Sequence, residues 1–434
     1  MAPAGRGDAP AGETAAPAVE EAPSGLLGRL GPGLVTGAAD DDPSGIATYS
    51  QVGAQYGYAL AWTMLFSFPL MAVIQAVSAR IGCVTGCGIA QNLRRHYPRW
   101  LLHAVVLLLL VANVINLGAD LGAMGAALRL LAGGPQLLYA VLFGLACILL
   151  EVFVSYARYA AALKWTTLSL LAYAGVAFAA HVPWGQALHG TLVPAVTLDS
   201  GHAMAMVAVL GTTISPYLFF WQAGQEVEEQ RRRHVKALCV TPRQAGAELA
   251  RIRTDTVVGM GFSNLIAIFI IFATAATLHA AGVTDIQTSS QAAEALRPIA
   301  GDFAFALFAI GIVGTGMLAV PVLAGSAAYA VSELFGWTEG LDRLPREAKA
   351  FYGTIAAATL CGAALNFTPL DPIKALYWSA VVNGVLAAPL MAVMMVIAVN
   401  PRVMGTLTLP RAMVAGGWLA TLVMALASLG FFVI

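Results

Sequence analysis

Residues 34–48 read LVTGAADDDPSGIAT, where three consecutive carboxylates, Asp40, Asp41 and Asp42, precede a proline, a serine and a glycine inside an otherwise apolar stretch. An ionised Asp at the centre of a bilayer costs roughly 2.5–3.5 kcal/mol on insertion scales, so three together would cancel much of one helix's apolar gain. Something must compensate them, and the chemistry that fits is cation binding. Pro43 lacks a backbone N–H and clashes with the preceding turn, which frees carbonyl oxygens such as that of Ala39 beside the carboxylates. A second interruption lies in GTTISPYLFFWQAGQE (211–226), at Ser215-Pro216-Tyr217, and adds the hydroxyls of Thr212, Thr213 and Ser215. The carbonyl end of the half-helix leading to Asp42 carries partial negative charge and favours a positive ion. Carboxylates, free carbonyls and hydroxyls together make an oxygen-rich cation site, with Asp42 as its anchor, Asp41 as a further candidate and Asp40 facing either the site or a solvated vestibule.

The elements that must position these groups are membrane helices. Of 434 residues, 59% are hydrophobic and only 11% charged, against about a quarter charged in a soluble domain. The chain reads as an all-α polytopic membrane protein. Its formal net charge is zero and it carries no nucleic-acid footprint. The five cysteines are odd in number and lie in or beside apolar runs, so a disulfide framework is not expected, and Cys83 and Cys87 read as packing residues. No nucleophile–base pair, phosphate loop or cofactor fingerprint stands at a usable spacing, so an enzyme is not expected and no cofactor is called for. Residues 1–25, rich in Ala, Pro, Gly and Glu, read as a disordered cytoplasmic tail.

Apolar windows of about 20 residues fall near 26–56, 59–81, 101–131, 136–156, 159–180, 202–230, 256–281, 303–335, 350–367, 373–398 and 411–433, eleven in all. Lys and Arg in the connections favour a cytoplasmic N-terminus and an extracellular or periplasmic C-terminus in a cell membrane, with 228–253 as a charged cytoplasmic loop. The first and sixth windows are the interrupted ones. Taking spans one to five (26–180) and six to ten (202–398) as two halves, each half begins with a broken helix, the pattern of an inverted-repeat transporter. Five spans end on the opposite side from their start, so the second half runs upside down relative to the first, and 411–433 is an eleventh helix outside the repeats.

These residues resemble the NRAMP family of divalent metal transporters. The resemblance covers most of the chain after residue 25 and rests on GPG (31–33), Asp42-Pro43, GAQYGYALAW (53–62), SARIGCVTG (78–86) and the break around Pro216. It implies a leucine-transporter-like fold with two inverted five-helix repeats and an eleventh helix. In that family the first break reads Asp-Pro-Gly-Asn and the second Met-Pro-His-Asn; here Gly45 stands at the Asn position and Ser215 at the Met position. Losing the thioether removes a soft ligand, and oxygen donors suit magnesium, calcium and manganese. Losing the Asn side chain at Gly45 leaves room for water, which magnesium gives up reluctantly. The pattern is similar to the NRAMP-related magnesium transporter branch.

Proton-coupled members carry an Asp and, three residues on, a Glu in the third span, and two His in the sixth. Here Asp120 is kept, Ala123 takes the Glu position, and Tyr217 and Gln222 take the His positions. Weak or absent proton coupling is therefore expected. Asn383 in the tenth span matches a family Gln that closes over the ion. The expected function is import of divalent cations, magnesium before manganese, by a monomer in the lipid bilayer working through alternating access. A proton-coupled manganese or broad-range transporter is the alternative, and a sodium-coupled transporter of an organic solute the alternative of another class.

Overall fold

The computed structural model describes residues 31–154, 167–195, 197, 199–368 and 371–433. The tail 1–25, the first residues of the opening span, and 159–166 of the fifth expected span with Lys164 and Arg158 lie outside the described residues. Nearly everything else is helical. The longer helices in chain order are α1 (Pro32–Asp40), α2 (Pro43–Tyr56), α3 (Trp62–Thr85), α4 (Ile89–His96), α5 (Arg99–Ala132), α6 (Gln136–Phe153), α7 (Leu171–Ala179), α8 (Trp184–Leu192), α9 (Ser200–Thr213), α10 (Pro216–Arg232), α11 (Ala245–Thr274), α12 (Ala304–Phe335), α13 (Lys349–Leu365), α14 (Pro372–Val399) and α15 (Arg411–Val433).

Eight helical stretches among the described residues are long and apolar enough to cross a bilayer, with α9 and α10 counted together as one. The other expected spans correspond to the α1–α2 pair, α7 and the 17-residue α13. Large apolar side chains point outward along these helices, among them Leu107, Leu142, Phe153, Leu422 and Phe432. Such an outer surface suits hydrocarbon and would be costly in water.

The charged connection is shorter than expected: of residues 228–253, 228–232 continue α10 and 245–253 open α11, which leaves 233–244 between the two helices. Part of this charge is paired across the two helix ends, which helps the helices run on past the apolar windows. Arg251 bridges Glu226 (2.7 Å) and Glu248 (3.0 Å), and Arg233 reaches Glu248 at 2.8 Å.

Because lipid tails are as apolar as leucine, helices in a bilayer associate through close packing at small residues. The half-helix α1 illustrates this against α11. A Cβ added at Gly37 would lie 2.3 Å from the Gly259 carbonyl oxygen, and one added at Gly259 would lie 2.2 Å from that of Gly33. At the start of α1 the Asp255 carboxylate accepts hydrogen bonds from the backbone amides of Gly31 (2.9 Å), Gly33 (2.7 Å) and Leu34 (3.1 Å). Those amides have no partner inside their own helix, and the helix dipole favours negative charge there. Backbone contact and charge together dock α1 on α11. Helix α5 packs on α12, α13 and α14; α9 lies on α14; and α10 sits between α3 and α12. The two broken spans thus cross in the middle of the bundle.

Two measurements check this docking. Gly259→Ala is expected to destabilise the purified protein by about 1–3 kcal/mol through overpacking, read as a fall in thermal midpoint; an unchanged midpoint contradicts the backbone contact. Asp255→Ala is expected to raise amide exchange in residues 31–34 by roughly ten- to a hundredfold, the equivalent of about 1–3 kcal/mol of lost hydrogen bonding to a charged group. Unaltered protection there would show that α1 is held by something else.

Candidate functional site

Each break is built by a proline at the first position of a new helix. At the first, α1 stops at Asp40, Asp41 leaves helical geometry (φ −82°, ψ 48°), and Asp42 adopts an extended conformation (φ −69°, ψ 170°) before Pro43 opens α2. Asp42 Oδ1 accepts the Gly45 amide at 2.7 Å, so this carboxylate is the N-cap of α2. At the second, α9 stops at Thr213, and Ser215, extended at ψ 129°, precedes Pro216 at the head of α10.

The two breaks meet. Tyr217, in the first turn of α10, sets its hydroxyl 3.1 Å from the Ala39 carbonyl and 3.2 Å from Asp42 Oδ2. One hydroxyl proton can serve only one of these acceptors at a time. From α5, Asn116 Nδ2 donates to Asp42 Oδ2 at 3.2 Å. Asp120 stands one helical turn further along the same face of α5. Asp42 is 1% exposed and Asp120 fully buried.

Several buried oxygens around this point have no hydrogen-bond partner among the described residues: both carboxylate oxygens of Asp120, Asn116 Oδ1 and Thr212 Oγ1. Buried polar atoms are otherwise almost always paired. A set of unsatisfied oxygens beside a buried carboxylate is what an electropositive guest, a cation with its water, would complete.

The expected site residues divide by position. Asp42, Ala39 through its carbonyl, and Thr212 lie where the breaks meet. A Cβ added at Gly45 would be 3.3 Å from Thr212 Oγ1 and 3.3 Å from the Asp40 carbonyl oxygen, so this glycine leaves a narrow notch walled by oxygens. Ser215 and Thr213 turn their hydroxyl protons back to their own helix, Ser215 to Gly211 and Thr212 carbonyls (3.0 and 2.9 Å) and Thr213 to Val209 and Leu210 (3.0 and 3.3 Å). Only their lone pairs remain for a guest. Asp41 faces α11 instead: Ser263 Oγ lies 3.0 Å from Asp41 Oδ1 and 2.7 Å from Asp40 Oδ2. Asn383 is buried on α14, which packs on α2 and α5, with its Nδ2 unpartnered among the described residues and no bond to Asp42. Nowhere among the described residues do three His, Cys, Asp or Glu side chains converge as a metal-binding group. The site is therefore one carboxylate or two supported by neutral oxygens.

Two residues here escape a reading of the sequence. Tyr217 enters the sequence reading as part of the second break and at a family His position, with no contact to the first break foreseen, yet its hydroxyl joins the two breaks. Asn116 passes unremarked, although it stands four residues before Asp120 and so shares its helix face; that spacing was the available signal.

A family profile described as natural resistance-associated macrophage protein-like matches residues 33–433. The chain is 30% identical over 302 residues to a divalent metal cation transporter MntH of Xanthomonas campestris, covering 67% of this chain and 65% of that one. A protein of the same name from Klebsiella pneumoniae is 26% identical over 403 residues, covering 90% of each chain. Among solved structures, an Eremococcus coleocola manganese transporter superposes with a TM-score of 0.72 at 17% identity, covering 92% of this chain and 85% of that one. Mhp1, a nucleobase-cation-symport-1 family transporter, superposes at 0.52 and 16% identity, over 93% and 92% of the two chains. These likenesses fit the leucine-transporter-like fold expected from the two broken spans. With its profile spanning all the described helices, the chain belongs to the Nramp, or natural resistance-associated macrophage protein-like, family.

Proposed function

We propose that this protein is a secondary transporter of divalent metal cations, with Asp42 as the anchor of the transported ion. The observation that carries the reading is the buried Asp42 carboxylate at the junction of two broken helices, together with the unpartnered buried oxygens of Asn116, Asp120 and Thr212 on the helices that meet there. The names of the relatives, divalent metal cation transporters, point the same way. Halves 26–180 and 202–398 work as inverted repeats in this reading, and the ion is exposed alternately to either side as they rock around the fixed breaks. The protein acts as a monomer in a cell membrane, N-terminus in the cytoplasm. Two charges falling through 100 mV release roughly 4.6 kcal/mol, which drives entry without another coupled ion.

The nearby donors are oxygens, and Ser215 supplies no thioether, so hard cations are preferred: magnesium, with manganese as the nearest competitor. Proton coupling is weak, because Ala123 and Tyr217 do not titrate near neutrality and Gln222 is held by the Gln75 amide at 2.9 Å. A second reading, proton-coupled manganese or broad-range transport, is favoured by the manganese transporter among the structural neighbours.

Uptake into proteoliposomes carrying an internal pH dye separates the two. The first reading expects both magnesium and manganese to enter without acidification; manganese entry with acidification and no magnesium entry establishes the second. Asp42→Ala is expected to lower uptake at least about a hundredfold, the equivalent of losing roughly 3 kcal/mol or more of charge-assisted binding, and normal uptake by this variant would remove Asp42 from the site. Tyr217→Phe is expected to raise the half-saturating ion concentration about three- to tenfold, matching one hydrogen bond of about 1 kcal/mol, with maximal rate retained. A rate loss at unchanged half-saturation would instead assign Tyr217 to the conformational step.

A further inference from the structure

Away from the junction, a groove of about 520 Å³ opens between α3, α11 and α15. Its walls are mostly apolar, with Ala76, Leu249, Val257 and Met413 among them, and two arginines, Arg80 and Arg253, complete the lining. All three helices have an end here: Arg80 lies near the end of α3, Arg253 in the opening turns of α11, and Met413 at the start of α15. The groove therefore sits where the bundle leaves its apolar belt. That belt continues directly from it, since Val257 and Val258 on α11 and Trp418 and Leu422 on α15 are exposed.

The two cations lack carboxylate partners. Arg80 donates to the Leu407 carbonyl from Nε (3.2 Å) and Nη2 (3.0 Å) and to that of Thr408 from Nη2 (3.0 Å), with no ion pair among the described residues. Arg253 likewise forms no ion pair there. The acidic groups that could neutralise them are taken, Glu226 and Glu248 by Arg251 and Arg233. Two unneutralised arginines over an apolar cleft at a membrane boundary ask for one kind of occupant, anionic at its head and hydrocarbon below.

We propose that this groove seats an anionic phospholipid, its phosphate between Arg80 and Arg253 and an acyl chain along Leu249, Val257 and Met413. A zwitterionic phospholipid offers the same phosphate but sets a second cation beside the arginines, so the site discriminates by net headgroup charge. Arg253 stands two residues before Asp255, the carboxylate that docks α1. A lipid held here steadies the segment of α11 on which that docking rests. The inference does not depend on which ion is carried.

The test is native mass spectrometry of the full-length protein in detergent, titrated with phosphatidylglycerol or phosphatidylcholine of matched chains, with the thermal midpoint read in parallel. Phosphatidylglycerol is expected to bind at least fivefold more tightly than phosphatidylcholine and to raise the midpoint. Arg253→Gln, at an exposed side chain with no protein partner, and Ala250→Trp, which fills the groove and keeps both arginines, are each expected to bring phosphatidylglycerol binding down to the phosphatidylcholine level. The double variant Arg80→Gln/Arg253→Gln should do the same if it folds. Equal binding of the two lipids, undiminished phosphatidylglycerol binding in both Arg253→Gln and Ala250→Trp, displacement by millimolar inorganic phosphate, or a dimer that covers the groove and retains no lipid would each overturn the proposal.

Discussion

The structure depends on a carboxylate kept in the interior of an apolar helix bundle. An unpaired charge is tolerated there only when fixed dipoles and donors replace water. Asp42 obtains these by a local device: the chain breaks at Pro43, and the carboxylate becomes the cap of the helix that follows, accepting the Gly45 amide at the positive end of α2. A hydroxyl from Tyr217 and an amide from Asn116 approach its other oxygen. The break is both the cause of the buried charge and part of its compensation.

The same device recurs one half-helix earlier. Asp255 caps α1 from the outside, reaching across from α11, whereas Asp42 caps α2 from the position just before it. Each half of the first span thus starts under a carboxylate. The difference is in what must happen to undo each contact. The Asp42 cap is local and survives any rigid movement of α2, whereas the Asp255 contact joins two helices and is lost if α1 parts from α11. Glycines 37 and 259 allow the backbones to touch, but they supply no side chain to hold them. The directional part of that contact is therefore electrostatic.

Around Asp42 the donors are nearly all neutral oxygens, and several are unsatisfied. In the proposed reading such an arrangement would hold a cation by many weak dipoles and few formal charges, which permits release as well as capture. Gly45 contributes by what it lacks: a side chain there would press against the Asp40 carbonyl and Thr212 Oγ1, the oxygens that line the notch. Asp40 joins this cluster only through its carbonyl; its carboxylate and that of Asp41 share Ser263 on α11, so the run of three acid side chains is divided between two neighbours.

Much of this could be read along the chain. Span lengths follow from apolar runs, the breaks from Pro43 and Pro216, and the importance of Asp42 from the cost of burying it, because each of these is set by residues adjacent in sequence. The ends of the charged connection are set differently: whether Glu226 and Arg251 solvate separately or pair across two helix ends depends on a contact between residues 25 apart. Tyr217 and Asn116 joined the site for the same cause. Only the packing of α10 and α5 against the first break brings that hydroxyl and that amide to Asp42, and only the docking of α11 turns Asp40 and Asp41 away from it. Local chemistry determined where the chain must break and which charge it must bury; tertiary packing decided which neighbours answer that charge, since a hydrogen bond acts over about 3 Å and carries no trace in sequence distance.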